Sequence, residues 1–554
     1  MIKIMNIFRG IFMTDKKEVA GVEVDNKVVE KIEVQENEVV EKVISFDCFH
    51  IKLISVELMD DTDFHNELVQ KREWLLHRSE RELALKGNLF IIQESFSKKG
   101  KIFVKKSALP HARATKIEKD LKVQPSEKGW NFFFISSVNE TDSWEVIDFK
   151  GDDVDITKAL HTWQENQRPD TPGHQTPLFL SNTWGDRSRD SCISELFIKK
   201  EIDAAVKLGV DIVQIDDGWQ RGVTSNSTLA AEKNGLWEGF WVSDSEFWTA
   251  NLDRLPNGLE PLVNYAEKNG VKLGLWFAPD SYDEFAHWEK DTNFIIETYK
   301  KFGIEHFKLD SIKAETELGN QNLQRFFSTV NEQSGGNIVF DLDITAGVRP
   351  GYFGALQVGP LFVENRYTDW GNYWPHQTLR NLWQLSHWID PKRLRMEFLN
   401  NTRNTHKYEG SPIAPIKYSP STLFATVMFS NPLGWFEVSN LPAQYIEELA
   451  PLVKIWKECR EEMFSGDILP IGNAPDGIEY TGFISEPKES QSVYFLVFRE
   501  MNDSDCFELD VSRLGQQVKN AVVLFGDGDI QVDGNCLKVV VNEKLGFVFG
   551  RIKG

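Results

Sequence analysis

Two charged side chains, Lys308 and Asp310, stand two positions apart at the end of an apolar run of the sequence. In a β-strand, residues two positions apart share one face, so both side chains would point the same way. A nearby ammonium group favours the ionised form of a carboxylate, which is the form that a nucleophile needs. The pair therefore predicts a carboxylate nucleophile, and the alternative is a plain ion pair in a protein core.

Asp216 and Asp217 end a second apolar run and precede Gly218 and Trp219. Two adjacent carboxylates cannot both be buried without partners, so we expect them at a wet rim. There each could accept hydrogen bonds from the hydroxyl groups of a sugar. The alternative is a site for a hard metal ion such as Mg²⁺ or Ca²⁺, although no histidine or further ligand spacing supports it.

Similar side chains follow most of the other apolar runs. They are Trp184, Asp186 and Arg187; Trp276 and Asp280; Asp341, Asp343 and Arg349; Glu364, Arg366 and Asp369; and Trp435 and Glu437. Carboxylates crowded with aromatic rings suit the cleavage of a glycosidic bond. In that reaction one carboxylate attacks or stabilises the sugar carbon, and another protonates the leaving oxygen.

A regular alternation of strands and helices would place these side chains together. Between Leu178 and Val438, eight apolar runs alternate with amphipathic segments, most of them roughly 10–20 residues long. Eight strand–helix units predict a (β/α)₈ TIM barrel over residues 173–463, and such barrels carry their reacting groups at the carboxyl ends of the strands. An open doubly wound sheet is the main alternative, but no Gly-rich phosphate loop follows the first run.

Short alternating runs, typical of β-strands, lie on both sides of the barrel segment. They predict an N-terminal β-sandwich over residues 1–172 and a small C-terminal β-sandwich over residues 464–554. The expected fold class is therefore α/β, with a central (β/α)₈ TIM barrel between two β-sandwich domains.

Composition narrows the choice of partners. The 554 residues include 84 acidic and 62 basic side chains, for a formal net charge of −22. Such a chain repels phosphate backbones, so nucleic acid is not expected as a partner. No apolar run of about 18 residues occurs, so no membrane partner is expected. The five cysteines are scattered, so neither a zinc site nor disulfides are expected. Met1–Met13 lacks the pattern of a signal peptide, so we expect a cytoplasmic protein.

Three motifs together resemble the α-galactosidases of glycoside hydrolase family 36, in the wider melibiase-like clan. They are GVDIVQIDDGWQ at 209–220, GLWFAP at 274–279 and FKLD at 307–310, and the resemblance covers roughly residues 176 to 440. It implies that Asp310 is the nucleophile of a covalent glycosyl-enzyme and that Asp216 and Asp217 hold the hydroxyls at C4 and C6. The substrate-binding set predicted in this way is Trp184, Asp216, Asp217, Trp219, Trp276, Lys308, Arg349 and Arg366.

The sequence departs from the family pattern at the sixth strand. The family carries its acid/base there as an Asp in a Ser-Asp-Asp or similar run, with an Arg a few residues before it. Here the run is ENRYTDW at 364–370, in which Asp369 has Arg366 three positions earlier. We predict Asp369 as the acid/base, and Glu364 is the alternative.

The functional hypothesis is a retaining exo-α-glycosidase that acts on an oligosaccharide or glycoside, with α-galactosidase as the first choice and no cofactor. Alternatives are another sugar preference, a transglycosylase, an inactive carbohydrate-binding barrel, or a metal-dependent enzyme that a chelator would inhibit. Family relatives are often oligomers, so a homo-oligomer is a further expectation. A loop after the second strand holds Trp237, Trp241 and Trp248, either as a surface hydrophobic cluster or as a lid or aglycone subsite.

Overall fold

The computed structural model describes residues 38–59, 67–79, 81–106, 119–137, 143–345, 349–488, 490, 492–514, 518 and 520–553. It also describes the backbone of four short strands nearer the N-terminus. They are β1 (Lys17–Val19), β2 (Glu23–Val24), β3 (Lys27–Val28) and β4 (Ile32–Val34). Met1–Met13 and Gly347 of the fifth strand end lie outside the described residues.

The N-terminal domain consists of two antiparallel sheets, ordered β13-β10-β9-β6-β7 and β5-β12-β11-β8. Its strands are β5 (Glu38–Phe46), β6 (Ile51–Leu58), β7 (Val69–Leu76), β8 (Leu83–Leu85), β9 (Leu89–Glu94), β10 (Lys99–Lys105), β11 (Leu121–Pro125), β12 (Trp130–Ser137) and β13 (Trp144–Lys150). Phe103 of one sheet stacks on Phe134 of the other, with ring centroids 3.9 Å apart. The aromatic and β-branched side chains that alternate along these strands thus fill the space between the sheets, as in a β-sandwich.

Eight parallel strands form a closed barrel in chain order. They are β14 (Leu180–Asn182), β15 (Ile212–Ile215), β16 (Lys272–Phe277), β17 (His306–Leu309), β18 (Val339–Asp343), β19 (Leu361–Phe362), β20 (Leu394–Phe398) and β21 (Asn431–Gly434). Each lies on one of the eight apolar runs, so the predicted fold class is confirmed. The last strand is shorter than the apolar run that ends at Val438. It ends at Gly434, and Val438–Asn440 form a 3-10 turn.

Helices α1 (Asp153–Glu165) and α2 (Pro172–Gln175) precede the first strand of the barrel. The helices that connect its strands are α3 (Glu195–Leu208), α4 (Ala230–Lys233), α5 (Phe240–Ser243), α6 (Glu260–Lys268), α7 (Tyr282–Phe285), α8 (Trp288–Phe302), α9 (Glu317–Ser334), α10 (Pro375–Leu385) and α11 (Pro420–Ala425). Helix α12 (Ala443–Phe464) follows the last strand. The local sequence sets the ends of α3, where Ser194 caps the first turn and Gly209 takes the left-handed conformation at φ 87°. Its buried face, which includes Ile198 and Ile202, packs on the barrel.

The C-terminal domain again has two antiparallel sheets, ordered β22-β23-β24-β29-β26 and β25-β28-β27. Its strands are β22 (Asp467–Gly472), β23 (Tyr480–Glu486), β24 (Ser492–Arg499), β25 (Cys506–Asp510), β26 (Asn520–Gly526), β27 (Gly528–Asp533), β28 (Cys536–Val541) and β29 (Gly546–Lys553). All five cysteines lie in described segments and are free thiols. Among the helices of the described residues, none is long and apolar enough to cross a membrane.

Candidate active site

The barrel mouth is organised by the register of its parallel strands. Trp276 of β16, Lys308 of β17 and Asp341 of β18 are paired across the sheet and so lie level with one another. Asp310 follows directly after β17, and only 8% of its surface is exposed. The carboxyl ends of neighbouring strands therefore bring an indole, an ammonium and two carboxylates to one end of the barrel.

Asp310 accepts three hydrogen bonds from well-defined donors. Its Oδ1 is 2.9 Å from Arg349 Nη2 and 2.5 Å from the backbone N of Ser311, and its Oδ2 is 3.3 Å from Trp276 Nε1. Burial acts to raise the pKa of Asp310, but the charges of Arg349 and Lys308, together with these hydrogen bonds, hold it below its ordinary value. Asp310 is therefore an ionised, oriented carboxylate at neutral pH.

Lys308 is shared among the carboxylates of the mouth. Its Nζ donates to Asp216 Oδ2 at 3.2 Å and lies 4.7 Å from the centre of the Trp435 ring. Burial acts to lower the pKa of Lys308, but the charges of Asp216, Asp310 and Asp343 raise it overall, so the ammonium stays charged. The direct partner of Lys308 is thus Asp216, while Arg349 binds Asp310.

Asp216 and Asp217 are both buried, with 2% and 1% of their surfaces exposed, so the predicted wet rim is wrong. The physical reason is that each carboxylate has partners inside the protein. Asn182 Nδ2 donates to Asp216 Oδ2 at 2.8 Å, while Gln220 Nε2 donates to Asp217 Oδ1 at 2.7 Å and the Thr224 hydroxyl to Oδ2. Burial raises the pKa of Asp217 to about 7, although these hydrogen bonds act against it.

The alternative prediction at Asp216 and Asp217 is a site for a metal ion. The ammonium of Lys308, rather than a further carboxylate or imidazole, lies against Asp216. Among the described residues, no group of three or more His, Cys, Asp or Glu side chains is arranged to hold a metal ion.

Asp343, at the end of β18, belongs to the same charged cluster. The hydroxyl and the backbone N of Thr345 donate to its Oδ1 at 2.7 and 3.0 Å. Burial and the nearby charge of Asp310 raise the pKa of Asp343, so the two carboxyls are pushed in opposite directions. The mouth therefore holds Asp310, which ionises at lower pH, beside Asp343, which stays protonated to higher pH.

Glu397, on β20, is a buried carboxyl that the sequence reasoning missed. The backbone N of Arg366 donates to its Oε1 at 2.7 Å, and Oε2 has no hydrogen-bond partner among the described residues. Burial, and then the charge of Glu364, raise the pKa of Glu397 far above its ordinary value. The signal was present, because Arg395 and Glu397 interrupt an apolar run two positions apart, just as Lys308 and Asp310 do.

The two acid/base candidates of the sixth strand end point to different places. Glu364 is fully buried and accepts from Thr378 at 2.9 Å and Asn381 at 2.7 Å, both on α10, so it faces the helix layer. Asp369 keeps 38% of its side chain exposed, and Arg187 Nε lies 3.5 Å from its Oδ2. Asp369 is thus accessible from solvent, whereas Glu364 is not.

Arg187 lies over two aromatic rings that contact each other. Its guanidinium lies 4.6 Å from the centre of the Tyr367 ring and 4.9 Å from that of Trp370. Cation–π contacts of this kind orient a charged group that is still partly exposed. Trp184, from the end of β14, packs with Tyr367 in the same apolar cluster, so the structure brings the first and sixth strand ends together.

The predicted substrate residue Trp219 does not line the mouth. Its ring packs among Trp248 and Phe294, and its Nε1 donates to the carbonyl O of Trp276 at 2.9 Å. Trp219 therefore supports the backbone of Trp276 from outside. Arg366 is buried, and its backbone N binds Glu397.

The three tryptophans of the loop after β15 separate in the structure. Trp248 is buried in the aromatic cluster around Trp219, whereas Trp241 is half-buried and donates from Nε1 to Asp291 Oδ1 at 2.7 Å. The carbonyl O of Trp237 accepts from Ser311 Oγ at 3.3 Å, next to Asp310. This loop therefore borders the mouth at Trp237 and the outer surface at Trp241.

The fold is a TIM barrel whose mouth is lined with carboxylates, and parts of the chain are similar to known proteins. Residues 146–302 match the Melibiase family model, a segment that includes Asp216, Asp217 and Trp276 and ends before Lys308. The chain is 30% identical over 102 residues to "Alpha-galactosidase Mel36A" of Lactobacillus acidophilus, covering 18% of this chain and 12% of that protein. It is 27% identical over 186 residues to an "Alpha-galactosidase" of Oryza sativa subsp. japonica, covering 30% of this chain and 37% of that protein.

Solved structures share the fold over most of the chain. The galactosidase domain of the α-galactosidase–sucrose kinase AgaSK superposes with a TM-score of 0.62 at 11% identity, covering 93% of this chain and 75% of that one. The family 36 α-galactosidase AgaA of Geobacillus stearothermophilus gives a TM-score of 0.60 at 13% identity, covering 93% and 76%. Variants of AgaA have been solved with 1-deoxygalactonojirimycin and with stachyose. The solved structures show the shared fold, while the matches to the Melibiase family model and to the curated α-galactosidases confirm the resemblance that the sequence motifs carry.

Proposed function

We propose that this protein is a retaining exo-α-galactosidase that releases terminal α-linked galactose. The observation that carries the proposal is Asp310, an ionised carboxylate held by Arg349 and Trp276 in a barrel mouth of the melibiase type. A carboxylate that is already ionised and fixed in direction can attack an anomeric carbon without first losing a proton.

In the first step, Asp310 forms a bond to the anomeric carbon while the bond to the leaving oxygen breaks. Asp369, whose side chain is 38% exposed, donates a proton to that oxygen. In the second step Asp369 takes a proton from water, which displaces Asp310 and leaves the sugar with its α configuration. The exposed position of Asp369 beside Arg187 allows the leaving group and water to reach it.

Recognition of the sugar is assigned to the buried pair Asp216 and Asp217. Asp216 presents a charged acceptor next to the Lys308 ammonium, while Asp217, with a pKa of about 7, can donate or accept. A substrate lacking the matching hydroxyl would lose its hydrogen bond to these buried carboxyls, which is the basis of discrimination between sugars. Trp184 and Trp276 supply apolar walls for the ring faces of the sugar.

The proposal is tested with a panel of p-nitrophenyl α- and β-glycosides on the wild type and Asp310→Ala. We expect release from the α-galactoside by the wild type, with galactose appearing first as the α anomer by NMR, and no release by the variant. Azide added to Asp310→Gly should yield the β-galactosyl azide. Absence of release from every α-glycoside, or β-galactose as first product, would refute the proposal; release from another α-glycoside would overturn the choice of galactose.

A further inference from the structure

A groove of about 500 Å³ lies outside the barrel mouth, between α8 and the segment that connects β15 to α6. Its floor is aromatic and includes Trp241 and Phe294, and its rim carries Lys290, Asn293, Glu297 and Lys301. We call this surface the outer groove. Its volume falls in the range of small-ligand sites, which are typically about 300–1,000 Å³ and combine apolar walls with a few polar groups.

The rim side chains of the outer groove are exposed to solvent. Within the described part of the chain, Lys290, Asn293 and Glu297 have no hydrogen bond or ion pair from their side chains, and the Lys301 ammonium lies 4.8 Å from the centre of the Phe302 ring. Together they offer ammonium donors, a carboxylate acceptor and an amide that is both donor and acceptor. Hydroxyl groups, which donate and accept, can use all of them.

The charged rim and the aromatic floor of the outer groove together indicate which class of ligand it binds. The rim carries two ammonium groups and one carboxylate, so an anionic ligand would meet both attraction and repulsion there, and a purely apolar ligand would leave the polar rim unused. A neutral sugar fits both features, because its C–H face can lie on the half-buried Trp241 ring while its hydroxyls reach the rim. The Trp241 ring is fixed for this role by the bond from its Nε1 to Asp291.

The outer groove is coupled to the mouth through the aromatic rings that separate them. Trp248, in the groove wall, lies 5.8 Å from Trp276, centroid to centroid, and Trp276 donates to Asp310. The backbone N of Trp241 also donates to Asp280 Oδ2 at 3.3 Å, so a ligand on Trp241 would steady the loop that borders the mouth.

We infer that the outer groove is a second, non-catalytic binding site for a neutral oligosaccharide, built from Trp241, Phe294 and the α8 rim. The choice of an α-galactosyl oligosaccharide as its ligand rests on the proposed function. The site holds sugar units of a long substrate, or a second substrate molecule, while Asp310 acts on a terminal residue.

The test compares a groove variant, Asn293→Ala/Glu297→Ala/Lys301→Ala, with a matched control, Glu289→Ala/Lys300→Ala, on exposed positions of the same helix that do not line the groove. Stachyose is titrated by calorimetry into each protein with the mouth saturated by 1-deoxygalactonojirimycin. We expect the wild type and the control to retain stachyose binding, and the groove variant to bind at least about tenfold more weakly, as expected for the loss of one or two hydrogen bonds.

The inference is overturned if stachyose binding disappears from the wild type once the mouth is saturated, or if the groove variant binds like the wild type. Equal weakening in the control would overturn it too. Hydrolysis of p-nitrophenyl α-galactoside gives a separate readout, and all three proteins should show the same rate. Failure of the proposed function would appear as no hydrolysis by any protein, whereas failure of the inference would appear as hydrolysis without groove-dependent binding.

Discussion

Arg349 and Asp310 are 39 residues apart in the chain, yet Arg349 Nη2 lies 2.9 Å from Asp310 Oδ1 at the mouth of the barrel. About 12% of each side chain is exposed. The pair is therefore shielded from bulk water, and its charge attraction is stronger than that of a surface ion pair. Arg349, which follows β18 in the chain, is thus a charged group in direct contact with the proposed nucleophile.

Replacing Arg349 with Ala should raise the pKa of Asp310, because the positive charge that lowers it is removed. The acidic limb of the kcat/KM profile on an α-galactoside should move to higher pH, and kcat should fall by on the order of 10²-fold. Arg349→Lys keeps a positive charge and should show a smaller displacement of the limb. An unchanged acidic limb in Arg349→Ala would mean that Arg349 does not govern the ionisation of Asp310.

The two acid/base candidates are separated by a pair of amide substitutions. Asp369→Asn should lower kcat by about 10²–10⁴-fold, with the larger losses on substrates that have poor leaving groups. Glu364→Gln should keep kcat near the wild-type value but lower the free energy of unfolding by about 1–3 kcal/mol, because its bonds to Thr378 and Asn381 are disturbed. Steady-state kinetics and denaturant unfolding measure the two effects, and the reverse pattern would assign the role to Glu364.

Glu397→Gln should leave activity and stability almost unchanged between pH 5 and 8. Burial raises the pKa of Glu397 far above its ordinary value, so the native side chain is already a neutral acid, and Gln reproduces its shape and its acceptor for the Arg366 N–H. Glu397→Ala, in contrast, removes that acceptor and should destabilise the fold by at least about 1–3 kcal/mol. A large loss of kcat in Glu397→Gln would show that the carboxyl takes part in proton transfer.

Thermal stability should fall as the pH rises from about 5 to 9, through the range in which three buried carboxyls titrate. Burial raises the pKa of Asp217 and Glu201 to about 7 and that of Asp291 to about 8. A raised carboxyl pKa contributes stability that is complete below the unfolded-state pKa and is lost as the pH passes the folded-state value. Asp217→Asn cannot ionise there, so calorimetric melting should show a shallower fall for it, and a slope equal to that of the wild type would contradict the prediction.

The barrel could be predicted from the sequence because its strands are continuous apolar runs. The end of each run also shows which charged residues lie at the carboxyl end of a strand, and so at the barrel mouth. Lys308 and Asp310 were predicted in this way and both lie at the barrel mouth, although Lys308 binds Asp216 and Arg349 binds Asp310. Orientation beyond a strand end was harder to predict. β19 has only two residues, so strand alternation does not show that Glu364 faces α10 while Asp369 stays at the rim.

Hydrogen-bond partners from distant parts of the chain, and the burial that they allow, could not be predicted from the sequence either. The partners of Asp216 and Asp217, such as Asn182 and Thr224, come from other strand ends and loops, so the pair could be buried where a wet rim was expected. The same holds for Trp219, whose motif position does not reveal that its ring supports Trp276 from outside the mouth.

Closure of the barrel has a consequence for aggregation. Each of its eight strands pairs on both sides, so in the described residues free sheet edges belong to the antiparallel sheets outside the barrel. β7 is such an edge, and its exposed stretch Gln70 to Glu73 carries two cations and an anion. Charged side chains on an edge strand discourage intermolecular pairing, so neutralising Lys71 and Arg72 would make the folded protein more prone to self-association without altering the barrel.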